Sequence, residues 1–83
     1  MKPLEVKRIN DTFFLEFENP DKTIEELPVD IFAIHEQLDA IGYDLYVITG
    51  MEVYPVGDLL AVTINNLETN ETEIIDVKAF VKR

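Results

Sequence analysis

The stretch PVDIFAIHEQLDAIG, residues 28–42, decides the fold class. Ile31, Ile34, Leu38 and Ile41 recur at spacings of three and four, the period of one helix face. Pro28 suits a first helical turn, where a missing amide hydrogen costs nothing, and Gly42 suits the left-handed residue that stops a helix. A helix starting at about Pro28 is expected, with an apolar stripe that must be buried against something else.

On both sides of this helix the period changes from about four to two, the mark of half-buried strands. Upstream, Leu4, Val6, Phe13, Leu15 and Phe17 alternate with polar residues around Asn10 and Asp11, two residue types that tolerate the positive φ of a tight hairpin. Pairing Ile9 with Thr12 sets Val6 opposite Leu15 and Leu4 opposite Phe17, which keeps one face apolar. The run from Glu18 to Lys22 is polar and contains Pro20, so it reads as a break before the helix. Downstream, three strands are expected: Leu45 to about Tyr54, Leu59 to Asn66, and Thr72 to Val81. The turns fall at Pro55 to Asp58 and at Glu68 to Glu71. Pairing Leu67 with Thr72 brings Ile64 to Ile75, Val62 to Val77 and Leu60 to Ala79. Gly50, inside a strand, marks a bulge or bend.

The order is therefore ββαβββ. It folds most simply as an α+β two-layer domain, a five-stranded antiparallel sheet with the helix on one face. The strand order 2-1-3-4-5 needs the shortest crossover, while the alternative 2-1-5-4-3 would set Lys7 and Lys78 on adjacent strands at some cost in repulsion. At 83 residues the chain is a single domain, 1–83, near the lower end of what folds alone.

Charge sets the partner class. Of the 17 acidic residues all but Glu5 lie between Arg8 and Lys78, where Lys22 is the sole cation. The net charge of −10 opposes direct binding to nucleic acid or acidic lipid and favours a basic protein, for instance a nucleic-acid-handling enzyme or complex. No window is long and apolar enough to span a membrane, and the first residues lack the apolar run of a signal peptide, so a cytoplasmic location is expected.

The catalytic inventory is thin. The chain has neither Cys nor Ser, and its one histidine is His35, so the usual nucleophile and base arrangements are missing and no enzymatic activity is expected. His35 and Asp39 stand four apart on the helix, a weak metal-ligand pattern. A boundary histidine satisfied by a carboxylate is the better reading. The glycines are isolated, no phosphate loop exists, and no cofactor or metal is expected.

The sheet face away from the helix should display Glu5, Lys7, Phe14, Glu16, Glu18, Ala61, Thr63, Ile74, Asp76, Lys78, Phe80 and Lys82. Within it, Phe14 and Phe80 are candidate apolar anchors, with Glu16, Glu18 and Asp76 attracting a basic partner. Two functional readings result. One is a small acidic inhibitor whose carboxylates imitate a nucleic-acid backbone. It has the short, acidic, non-catalytic profile of the anti-defence proteins of phages and other mobile elements, anti-CRISPR and anti-restriction proteins among them, though no motif of such a family is present. The other is a homodimeric accessory or regulatory module whose acidity serves solubility.

Overall fold

The structure, a computed structural model, describes residues 2–54 and 59–78. Among these are β1 (Lys2–Ile9), β2 (Thr12–Glu18), β3 (Ile24–Pro28), α1 (Ile31–Ala40), β4 (Tyr46–Val53), β5 (Leu59–Asn66) and β6 (Glu71–Lys78). The class is α+β, but the single five-stranded sheet is wrong. The strands form two separate three-stranded antiparallel sheets, β1-β2-β3 and β4-β5-β6.

Two local features produce the difference. The first is β3, a strand that the polar break and Pro28 concealed. The segment after β2 is a tight reversal, not a linker. Asn19 donates its amide to the Thr23 carbonyl at 2.9 Å, Asp21 accepts from the Thr23 amide, and Lys22 takes a left-handed φ of 72°. The chain then runs back along β2, with Leu27 opposite Leu15 and Glu26 opposite Glu16. Pro28 ends this strand opposite Phe14, on an edge where its missing donor is tolerated. Helix α1 therefore begins at Ile31, not Pro28, and the Asp30 carboxylate caps it by accepting from the Ala33 amide at 3.3 Å.

The second feature lies where the sheets meet. Strand β1 is the neighbour of β4, yet no ladder joins them. Each strand carries an irregularity, between Pro3 and Glu5 in β1 and between Ile48 and Gly50 in β4. Bulges raise local twist and interrupt the regular row of donors and acceptors that a continuous sheet requires.

The first hairpin has the expected two-residue turn, with Asn10 and Asp11 at φ of 49° and 65°. Val6 faces Leu15, but Pro3 and not Leu4 faces Phe17, because the bulge makes Leu4 an extra residue. In the last hairpin Asn66 pairs with Glu71 and Val62 with Ile75, two residues away from the expected register. The turn spans residues 67–70, with Asn70 at φ 60° donating to the Asn66 carbonyl at 2.8 Å. A shift of two keeps every side chain on its face, so the core is unchanged in composition.

That core joins both sheets and the helix. Leu15 and Phe17 from β2, Ile34 and Leu38 from α1, Met51 from β4, Leu60, Val62 and Ile64 from β5, and Val77 from β6 are buried together with Val29. No polar or charged side chain among the described residues is buried with them. Ile41 departs from the expected stripe and is 60% exposed. It is the helix C-cap, and the chain turns away there. Gly42 at φ 103° donates to the Asp39 carbonyl and Tyr43 to the Leu38 carbonyl, the paired bonds of a left-handed helix stop. No helix of the described residues is long and apolar enough to cross a membrane.

Candidate functional site

The strongest concentration of charge is on the outward face of the first sheet. Alternation along β2 points Phe14, Glu16 and Glu18 away from the core that holds Leu15 and Phe17. The register then sets Glu5 of β1 and Glu26 of β3 on either side of Glu16, and Lys7 beside Phe14. Like charges directly opposite repel, and Lys7 is the residue that relieves this. Its Nζ lies 2.9 Å from Glu16, 3.8 Å from Glu5 and 4.0 Å from Glu26. The hydrogen bond and charge of Glu16 hold the Lys7 ammonium above its ordinary pKa, with smaller contributions from Glu5 and Glu26. One cation is thus shared by three carboxylates, and Glu18 extends the row beyond its reach. Glu16, at 17% side-chain exposure, is the most covered of the Lys7 partners, while Glu5 and Glu26 stand further out. Phe14 is half-buried between Lys7 and Pro28.

Asp76 belongs to the other sheet, on β6, which among the described residues pairs with β5 alone. Its carboxylate accepts from the Tyr54 hydroxyl, and that bond raises the Tyr54 pKa. The structure therefore brings Phe14, Glu16 and Glu18 together and places Asp76 in a separate sheet. Phe80 lies outside the described residues, as do Ala79 and Lys82.

A second feature escaped the sequence altogether. At the junction of the two sheets is a cleft of about 460 Å³. Arg8, Asp11, Thr12 and Phe13 from the first hairpin line it, with Pro28, Val29, Ile31 and His35 from the β3–α1 segment and Tyr46, Val47 and Ile48 from β4. Its apolar walls come from Phe13, Val29, Ile31, Val47 and Ile48 with Pro28. Arg8 is anchored within it, 3.2 Å from Asp11 and with its guanidinium carbon 5.4 Å from the centre of the Phe13 ring. Among the described residues the partner of His35 is a phenol and not the expected carboxylate. Its Nδ1 is 2.6 Å from the Tyr46 hydroxyl, and the two rings lie 5.5 Å apart. Burial raises the Tyr46 pKa, and the nearby Asp39 charge adds to the effect. Three separate stretches of chain meet here, so no periodicity or local motif marks the cleft.

No group of three or more His, Asp or Glu side chains among the described residues is arranged to hold a metal ion. Comparisons with family models, with curated proteins and with solved structures gave no match. The chemistry of the surface is accordingly the basis for a functional reading.

Proposed function

We propose that the chain is a non-enzymatic binding domain, a small acidic inhibitor that occupies a basic surface normally used for nucleic acid. The observation that carries this reading is the outward face of the first sheet, where Glu5, Glu16 and Glu26 gather around Lys7 and Glu18 extends the row to the position opposite Lys2. A fixed sheet displays carboxylates without the ordering cost of a flexible tail. Glu16 and Glu18 project roughly 7 Å apart along one strand, a spacing similar to that of backbone phosphates. The body is 46 Å long, more than the roughly 34 Å of one duplex turn, so it has the reach to fill a channel built for a short duplex.

Long-range attraction brings such a protein to its partner, and Phe14 supplies apolar contact at the end of the charged row, opposite Lys7 and Pro28. The decisive experiment is capture from the natural host's extract on the immobilised protein at low salt, followed by stepwise salt elution. A basic nucleic-acid-handling protein released by moderate salt, and not retained by a Glu18→Lys/Glu26→Lys variant, is the expected result. Retention that ignores salt and these two residues would sink the proposal.

One observation favours the alternative of a homodimeric accessory module. Ile74 is 66% exposed on β6, whose outer edge has no strand partner among the described residues. Two copies joined there would form a dimer that salt strengthens by screening mutual repulsion, and sedimentation at low and high ionic strength separates the two readings.

A further inference from the structure

We propose that the cleft at the sheet junction receives one aromatic side chain from a Lys- or Arg-bearing segment of the partner. This rests on the reading of the chain as a binder of a basic protein and adds where the partner is gripped. Its volume of about 460 Å³ is at the scale of a small-molecule pocket and ample for one indole or phenol. Val29 is buried and forms the inner wall, while Val47 is 49% exposed and lies on the open side. Phe13, Ile31 and Ile48 complete an apolar enclosure, and the Arg8 guanidinium adds a flat cationic surface on which a ring stacks.

The charge around this enclosure selects the segment that carries the ring. Asp11 lines the cleft, Asp30 stands between the lining residues Val29 and Ile31, and Asp39 is close enough to Tyr46 to raise its pKa. Arg8 is already paired with Asp11. Asp30 and Asp39 are left to attract cations flanking the inserted ring. An acidic ligand would meet the same carboxylates and the overall charge of −10 as repulsion.

The chain contains no tryptophan, so the indole of a peptide probe is read without background. The probes are an Arg/Lys-rich peptide with one central Trp, the same peptide with Trp replaced by Ala, and uncharged N-acetyltryptophanamide. At low salt the Trp peptide should show a saturable blue shift and bind at least roughly tenfold more tightly than the Ala peptide. Val47→Asp, at a half-exposed wall, should abolish the blue shift while leaving salt-sensitive attraction intact. Equal binding of the Trp and Ala peptides, or an unchanged shift in Val47→Asp, overturns the cleft assignment and leaves the acidic face as the binding surface. Failure of both peptides to bind at low salt removes the basic-partner reading and the cleft assignment with it. An equal shift from N-acetyltryptophanamide at the same concentration assigns the cleft to a free aromatic molecule and overturns the peptide.

Discussion

The side-chain amide of Gln37 pairs with the backbone of Lys78 in both directions. Its Nε2 donates to the Lys78 carbonyl at 3.1 Å, and its Oε1 accepts from the Lys78 amide at 2.8 Å. Helix α1 thereby imitates a neighbouring strand at one end of β6 and closes part of a sheet edge that is otherwise open to pairing. The antiparallel alternation points the same backbone groups of Ile74 and Asp76 outward, beyond the reach of Gln37.

Gln37→Ala should therefore cost about 1–2 kcal/mol, the range for losing two hydrogen bonds to a partly solvated backbone. Urea unfolding measures the loss, and hydrogen exchange should show the Lys78 amide losing protection first. An unchanged unfolding midpoint would mean that water replaces the amide at no cost.

The junction of the two sheets depends on Val62 and Leu38, each fully buried in the shared core. Val62→Asp or Leu38→Asp buries a carboxylate without a partner and should remove most or all of the roughly 5 kcal/mol of stability expected for a domain this small. Glu18→Lys, on the outward face, should stay folded. Circular dichroism melts decide, and a Val62→Asp protein as stable as the parent would contradict the assignment of β5 to the core.

What could be read beforehand followed from local chemistry. Asn10 and Asp11 permit the tight turn, so the Val6 and Leu15 pairing was legible; the Gly42 stop was equally so. The last hairpin shows the limit of hydrophobic pattern. Registers two residues apart bury the same face, and what selects between them is the turn, where the Asn66 side chain accepts from the Glu68 amide and Asn70 turns left-handed. Strand β3 was hidden because Glu25 and Glu26 sit together between Ile24 and Leu27 with a proline at the end, a pattern that makes sense only on a sheet edge. That hidden strand also explains Glu16, which gains Glu26 as a neighbour and is covered more than a freely displayed carboxylate would be. The cleft needed the relative placement of both sheets, a long-range property that no single segment encodes.

Alkaline pH should destabilise the fold. Tyr43 donates to Glu73 and Tyr54 to Asp76, which raises both phenols above their ordinary pKa of 10.0, while burial does the same for Tyr46. Lys7 is raised above 10.5 by Glu16. A raised folded pKa contributes stability that is complete below the unfolded value and lost as pH rises through the folded one. Stability should hold up to about pH 10 and fall above it, and ultraviolet titration should show all three tyrosines ionising late. Tyr43 or Tyr54 ionising below the ordinary value would contradict the hydrogen bonding described, and Tyr46 doing so would contradict its burial.

Added salt near neutral pH should raise the melting temperature, because the net charge of −10 leaves more repulsion than the ion pairs of Lys7 and Arg8 among the described residues relieve. A melting temperature lowered by salt would mean that attraction outweighs repulsion on the folded surface.

The most direct test of the acidic face is the association rate constant with the captured basic partner, measured across ionic strength for the parent and for Glu18→Lys/Glu26→Lys. Steering by this face predicts that the double reversal slows association at low salt by on the order of tenfold and flattens the salt dependence, with dissociation little changed. Equal association at every ionic strength, with Asp39→Lys slowing it instead, would contradict the account and move the binding surface to the helix side.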